Sequence, residues 1–146
     1  MKLSSKSRYA LRILLQIGYE NLNGNQLAPG RLIAAKQEIT EPYLEQIMIP
    51  LKKGGFVETV RGCNGGYKLK KSPSEITVLD IIELFDGPVR LAECGVKENS
   101  CKKSGKCIAT KAWEELSAVF RNAAGKITLS SILEDYVKNN AVDYVI

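Results

Sequence analysis

Two short helical segments followed directly by a β-hairpin constrain the fold of this chain more than any other feature. The first segment ends near Gln37 and has Pro29 just inside its start, a position that tolerates proline. The second begins after Thr40, a good N-cap residue, and ends at Gly54-Gly55, where glycine adopts a helix-terminating conformation without steric cost. Two such helices joined by a few residues are typical of a helix-turn-helix.

The hairpin follows the second helix immediately. Residues 56–60 and 67–71 are rich in strand-forming side chains, and the glycine-rich residues 61–66 join them. The pattern predicts a β-hairpin with a flexible basic tip, which would form a wing beside the recognition helix. A wing directly after a helix-turn-helix is typical of nucleic-acid-binding proteins.

The charge is spread unevenly along the chain. Residues 1–73 carry 12 Lys and Arg against 5 Asp and Glu, a net charge of +7. Residues 74–146 carry 9 against 11, a net charge of −2. A basic half indicates a surface for an anionic partner, although a solvated surface with an accidental asymmetry explains the charge alone equally well.

Several classes of function lack their usual residues. The chain has no histidine, so it cannot build a Ser-His-Asp or Cys-His catalytic site by itself, and it has no GxGxxG or Walker-type loop. We therefore expect a protein that is not an enzyme. No apolar run approaches the roughly 18 residues of a membrane span, and the first residues lack the apolar stretch of a signal peptide. We expect a cytoplasmic protein with no membrane contact.

Further helices are predicted on both sides of the helix-turn-helix. One spans residues 5–19, and a short one follows the hairpin with Thr77 and Asp80 as a capping-box pair. A longer helix over residues 108–124 carries a coiled-coil-like seam beside Trp113 and Phe120. The seam consists of Ala109, Ala112, Leu116, Val119 and Ala123. It either covers its own domain or, as we favour, joins two copies that read paired half-sites.

These elements predict a mainly α fold with a small β-hairpin wing, in which a winged helix-turn-helix domain is joined to a long dimerisation helix. Residues 1–73 would form the DNA-binding domain, and residues 74–107 a connecting helix and a cysteine-bearing loop. Residues 108–146 would form the dimerisation helix and a C-terminal helix that packs as structural support.

The recognition helix supplies one group of candidate DNA contacts. From its first turns, Glu45 could accept a hydrogen bond from a cytosine amino group, and Gln46 could pair with adenine or a phosphate. Tyr43 lies in the same turns, and Lys52 would contact the phosphate backbone. For Glu45, a solvated helix charge is an equally good explanation. Pro50 lies inside this helix, where we expect a bend or a break.

The wing supplies the other group. Arg61 at its tip could enter a minor groove. Gly62, Gly65 and Gly66 would permit a tight turn and a close backbone approach. Cys63 is interpreted as a small turn residue or an accessible thiol rather than a ligand.

Three further cysteines form the sharpest chemical signal. Cys94, Cys101 and Cys107 are spaced C-x6-C-x5-C in a polar segment, with lysines nearby that favour the thiolate form. Three thiolates suit an iron–sulfur cluster or a soft metal. Structural zinc ranks second because closely spaced CxxC pairs are absent. Three unligated cysteines are the remaining alternative.

The sequence resembles the IscR/NsrR/CymR family of bacterial winged-helix transcription regulators, and its iron–sulfur branch most closely. The stretches that carry the resemblance follow the family's order over nearly the whole chain: residues 4–12, 43–46, 51–57 and 60–67, the three loop cysteines, and residues 112–113. The resemblance implies a homodimer joined near Trp113 and a 2Fe-2S cluster on the three cysteines. It also implies DNA contacts from residues 43–46 and the Arg61 wing. We add Lys6 and Arg8 to the candidate DNA contacts.

One position departs from the pattern. IscR-like members carry a histidine three residues after the last cysteine as the fourth cluster ligand, and this chain has Thr110 there. Relatives that use an acidic residue of the partner subunit have it at the position of Arg8. The fourth ligand is therefore open among Glu93, Glu98, solvent, a small-molecule thiol or none.

We therefore expect a dimeric regulator of the IscR type, either a repressor or an activator, that binds a double-stranded DNA operator under the control of an iron–sulfur cluster. The first alternative is a cluster-free, CymR-like regulator of cysteine or sulfur metabolism. The second is a small redox or cluster-carrier protein whose basic half docks an acidic partner.

Overall fold

The helix-turn-helix and the wing form at the positions that the sequence predicts. The computed structural model describes residues 2–94, 101–103 and 106–143, which form six α-helices and one antiparallel hairpin. The elements are α1 (Ser5–Leu22), α2 (Gly30–Gln37), α3 (Glu41–Lys53), β1 (Val57–Val60), β2 (Gly66–Leu69), α4 (Val78–Asp86), α5 (Ala109–Lys126) and α6 (Leu129–Asp143). This architecture confirms the predicted fold class.

Side-chain oxygens cap most of the helix starts that precede the cysteine-bearing segment, which is the chain between α4 and α5 (residues 87–108). The Thr40 hydroxyl accepts from the Tyr43 amide at 3.3 Å, which fixes the start of α3. Thr77 and Asp80 form the predicted capping box of α4. At α2 the sequence prediction is off by one position, because Pro29 is the N-cap residue rather than part of the first turn.

The recognition helix α3 is continuous through Pro50, so of the bend or break expected there, the break is absent. Proline removes one hydrogen bond to the carbonyl of the residue four positions earlier, but the turn that follows is intact. The Gly54 amide donates to the Pro50 carbonyl at 2.8 Å. Ile47, Met48 and Leu51 are fully buried, and their packing holds both sides of Pro50 against the same core.

Helix α1 lies at the centre of this core. Ala10, Ile13, Leu14 and Ile17 have no exposed surface, and α1 packs against α2, α3, α4, α6 and β2. Each fully buried Ile or Leu side chain stabilises the fold by roughly 1.5–3 kcal/mol. Helix α1 therefore helps to fix the orientation of α3, together with α2, β1 and α4.

A buried carboxylate fastens α1 to α2. Glu20 is 5% exposed and accepts hydrogen bonds from Lys36 at 3.0 Å, Gln16 at 2.7 Å and Asn25 at 2.7 Å. The bond from Lys36 is the main cause that lowers the pKa of Glu20; burial opposes it, and the amide donors add to the lowering. Glu20 is therefore held as a charged, fully partnered group.

The hairpin is anchored to the entrance of α2. Strands β1 and β2 pair in register from Val57 opposite Leu69 to Val60 opposite Gly66. Beyond this pairing, Ala28 and Tyr67 exchange two backbone hydrogen bonds of 2.9 Å each. A side chain at Gly66 would place its Cβ 2.7 Å from the Ala28 carbonyl oxygen, so this close approach requires glycine.

The C-terminal helices pack on two helices of the winged-helix region. Helix α5 packs on α4, and α6 packs on α1. The chain between α5 and α6 pairs with the start of α4, since the Val78 amide donates to the Ile127 carbonyl at 2.8 Å. Among the helices of the described ranges, none combines the length and the apolar character needed to cross a membrane.

Candidate functional site

Helix α3 separates its core residues from its exposed residues along two faces. Leu44, Ile47, Met48 and Leu51 are buried. The other face is exposed and carries three of the residues predicted to contact DNA, together with an isoleucine and a second lysine: Glu45, Gln46, Lys52, Ile49 and Lys53. A helix with this division is held by one face and free to enter a DNA groove with the other.

Tyr43 occupies a different place from these residues. It is half-buried and packs edge-to-face on Tyr9 of α1, with ring centroids 5.7 Å apart. The Arg12 guanidinium lies over the Tyr9 ring, 5.1 Å from its centroid. Tyr43 therefore contributes to the contact between α1 and α3, a role that the sequence pattern did not indicate.

The wing and α3 are joined through Tyr67. Its side chain is 6% exposed, and its hydroxyl donates a hydrogen bond to the Glu45 carboxylate. Burial is the first cause that raises the pKa of Tyr67, and the bond and negative charge of Glu45 raise it further, so the phenol stays protonated. The sequence pattern places Tyr67 in the second strand and in the stretch 60–67 that carries the family resemblance, but it does not indicate this contact with Glu45.

The tip of the wing is shaped by two glycines. Gly62 has a φ of +126°, which side chains rarely adopt, and a Cβ at Gly65 would lie 2.2 Å from the Val60 carbonyl oxygen. Arg61 and Cys63 are exposed at this tip. The wing therefore presents a cation and a thiol to solvent on a turn that only glycine can form.

The start of α1 carries the remaining candidate contacts. Lys6 and Arg8 are exposed there. Asp86, the last residue of α4, accepts from the Ser7 hydroxyl at 2.8 Å and from the Ser4 amide at 3.2 Å. Burial raises the pKa of Asp86, but these serine donors outweigh it and lower the pKa overall. The first turn of α1 is thus tied to the point where the cysteine-bearing segment begins.

That segment is tied to α5 at its near end. The Arg121 guanidinium donates to the Val89 carbonyl at 2.9 Å, and the Leu91 amide donates to the Ser117 hydroxyl at 3.0 Å. A cavity of about 740 Å³ lies between the segment and α5, and both Cys94 and Thr110 line it. Thr110, at the family's histidine position, thus shares a cavity with the first cysteine.

The three cysteines match an iron–sulfur cluster in donor chemistry and not in arrangement. Cys94 and Cys107 are half-exposed, Cys101 is exposed, and all are free thiols. Within the part of the chain that the structure describes, no group of three or more Cys, His, Asp or Glu side chains is arranged to hold a metal ion. Glu93 is exposed, and Glu98 lies outside the described residues.

The seam predicted on α5 faces solvent in the single chain. Val119 is 64% exposed, Leu116 and Trp113 are also exposed, and Ser117 and Ala124 are the buried residues of this helix. The core side of α5 is therefore narrow, and most of its large apolar side chains have no cover within one copy.

Comparison with known proteins gives a consistent result. The Rrf2 family, described as iron-dependent transcriptional regulators, matches residues 3–135. The chain is 32% identical over 140 residues to the HTH-type transcriptional regulator IscR of Cereibacter sphaeroides, which covers 94% of this chain and 90% of the relative. It is 34% identical over 142 residues to IscR of Xenorhabdus nematophila, and this match covers 97% of this chain and 82% of the relative.

Solved structures with the same fold include regulators of two kinds. CymR, the global cysteine regulator of B. subtilis, superposes with a TM-score of 0.76 at 28% identity and covers 92% of this chain and 97% of its own. IscR of T. potens superposes with a TM-score of 0.73 at 30% identity, and the match covers 93% of this chain and 88% of the T. potens chain.

Proposed function

The chain belongs to the Rrf2 family of transcriptional regulators, and we propose that it acts as a homodimer on a double-stranded DNA operator. Its relatives and structural neighbours are transcription regulators, which confirms the expectation that it is not an enzyme. The finer proposal is that a 2Fe-2S cluster on Cys94, Cys101 and Cys107 changes its affinity for the operator.

The observation that carries the DNA proposal is the exposed face of α3 beside an anchored wing. Glu45, Gln46 and Lys52 share this face, and the Tyr67–Glu45 hydrogen bond fixes the wing at one side of it. In our proposal α3 enters the major groove, and Arg61 reaches the neighbouring minor groove. Lys6, Arg8 and Lys52 contact phosphates, which position the protein without reading sequence.

The dimer proposal rests on α5. An exposed stripe of Leu116, Val119 and Trp113 on a single copy is the kind of surface that a second copy covers. In our proposal, two copies joined through this helix bind paired half-sites with their two α3 helices.

The cluster proposal rests on the donor set and on how the cysteine-bearing segment is held. When bound, the cluster would supply iron–thiolate bonds that fix the three cysteines relative to one another. Arg121 and Ser117 hold the near end of the segment on α5, and Asp86 holds the first turn of α1. A change in the segment would therefore shift the balance between positions of α1 relative to the dimer helix, and with it operator affinity.

The test is anaerobic purification followed by iron and acid-labile sulfide assays, a visible spectrum, and operator binding before and after cluster removal. We expect near-equal iron and sulfide in the wild type, and loss of both when the three cysteines become serine. Cys63→Ser is the matched control, because it removes an exposed thiol on the wing and should keep the cluster. Operator affinity should differ about tenfold or more between the two states.

A colourless, iron-free protein even after anaerobic reconstitution would contradict the cluster proposal. It would favour the second candidate, a cluster-free regulator similar to CymR. Two observations support this candidate: in the described part of the chain no three Cys, His, Asp or Glu side chains are arranged to hold a metal ion, and the fold is similar to that of CymR. In that case the triple serine variant would be regulated like the wild type.

A further inference from the structure

An isoleucine lies in the middle of the exposed face of α3. Ile49 is 48% exposed, and it is not part of the core cluster to which Ile47 and Met48 belong. At 3.6 residues per turn, Ile49 points almost directly away from that core. Single exposed apolar residues are ordinary on protein surfaces, so its position is what gives it meaning.

The neighbours of Ile49 on this face are polar or charged. Glu45 and Gln46 lie one turn earlier, and Lys52 and Lys53 lie one turn later. The lysines fit phosphates, and Gln46 fits a base edge or a phosphate. Ile49 therefore lies at the point of the face where a groove-bound helix meets the bases rather than the backbone.

The spacing of the face agrees with this placement. Positions 42, 45, 46 and 49 follow the pattern i, i+3, i+4, i+7, with which a homeodomain helix aims its side chains at the major groove. One oxygen of Glu45 is already engaged by the Tyr67 hydroxyl at the base of the wing. Gln46 and Ile49 lie at the centre of the face, and neither is engaged by the wing as Glu45 is.

We propose that Ile49 is a specificity-determining residue that packs against the 5-methyl group of a thymine in the operator. Thymine is the one base with a methyl group on its major-groove edge. Opposite an isoleucine, the other bases would bury a hydrogen-bond donor or acceptor without a partner, which disfavours them. This inference rests on the proposed DNA-binding function.

The test uses an operator that the wild-type protein selects from random double-stranded DNA. Each thymine of one half-site is replaced in turn by deoxyuridine, which removes only the methyl group and keeps base pairing. In the wild type, we expect one replacement to weaken binding about fourfold, the effect of one buried methyl group. In Ile49→Ala the same replacement should change binding less than about twofold, and Ile49→Val should retain most of the effect.

Val137→Ala is the matched control. It shortens a similarly exposed side chain on α6, and the fourfold methyl effect should persist in it. Thermal unfolding of Ile49→Ala should match the wild type because the side chain is exposed. An operator whose thymine methyl groups have no effect, or an equal effect in Ile49→Ala, would overturn this inference alone. A protein that enriches no DNA sequence would overturn the DNA-binding proposal together with it.

Discussion

The winged helix and α5 differ in how completely their side chains are buried or hydrogen-bonded within a single copy. In the winged helix, Glu20 is buried with three donors, and Tyr67 is buried with its hydroxyl bound to Glu45. Across the described ranges, no buried side-chain nitrogen or oxygen lacks a hydrogen-bond partner. On α5, by contrast, Val119 and Leu116 remain exposed.

This difference is the one we expect if the winged helix folds within one copy and α5, as proposed, packs against a second copy. Two helices with apolar patterns of similar period differ in burial. Ile81 and Ile82 of α4 are buried in the chain, whereas the seam of α5 is exposed. The amphipathic pattern alone does not decide between burial and exposure. The helices that pack around α4 decide it, since α1, α3 and α5 all contact it.

Val119→Glu gives the strongest test of this difference. If the seam is a dimer interface, the variant buries a charge at the contact of each copy, and the dimer should dissociate. Operator affinity should then fall on the order of 100-fold because paired half-sites are no longer engaged together. Sedimentation velocity and a binding titration measure the two effects.

Asn122→Glu is its control. It adds the same charge to an exposed position of α5 outside the seam, and the dimer should persist. A Val119→Glu protein with the wild-type mass in solution and wild-type operator affinity would show that α5 is not the dimer interface.

Glu20→Gln tests the stability of the winged helix. It removes a buried carboxylate that accepts three hydrogen bonds, and it should lower the free energy of unfolding at pH 7 by about 2 kcal/mol. Since the folded pKa of Glu20 is lowered, this stabilisation is present above the ordinary value of 4.5 and is lost as the pH falls through the folded pKa.

Urea unfolding of both proteins at neutral and acidic pH measures this effect. The difference between wild type and variant should shrink at acidic pH, while the mass of the assembly and the seam on α5 are unaffected. A difference that is independent of pH would mean that the charge of Glu20 contributes nothing to the fold.

What the sequence predicted well is local. Thr40 and Thr77 cap their helices, and the glycines of residues 61–66 close a hairpin, because each of these features depends on neighbours within a few positions. Pro50 shows the limit of such rules. Its local cost is outweighed by the buried residues on both sides, which no nearby pattern reports.

The sequence did not predict the contacts between residues that are distant along the chain. The contacts of Tyr67 with Glu45, of Ala28 with Tyr67 and of Asp86 with Ser7 arise only after α1, α3 and the hairpin are packed. The roles of Lys6, Arg8, Gln46, Arg61 and the three cysteines remain predictions, since they depend on DNA and a cluster rather than on the fold.

Arg61→Ala tests a residue that we propose contacts DNA and that lies outside the core. Arg61 is exposed at the wing tip, so stability should not change, while operator affinity should fall about tenfold and its dependence on salt should weaken. Titrations at two salt concentrations measure both effects. Lys138→Ala, which removes an exposed cation from α6, is the control and should bind like the wild type. Equal affinities of wild type and Arg61→Ala would remove the wing from the interface.

Tyr67→Phe has the smallest expected effect. It tests whether the Tyr67 hydroxyl helps to hold the wing on α3. The variant keeps the buried ring and loses only the hydroxyl that donates to Glu45, so the free energy of unfolding at pH 7 should fall by about 1 kcal/mol. Because the folded pKa of Tyr67 is raised, this stabilisation is present below the ordinary value of 10.0 and is lost as the pH rises towards the folded pKa. Urea unfolding at pH 7 and at alkaline pH should therefore give a difference that shrinks at the higher pH. A difference of zero at pH 7 would mean that α3 and the wing are held together by the Ala28 pairing and the core alone, and that Glu45 is as free to meet DNA as Gln46.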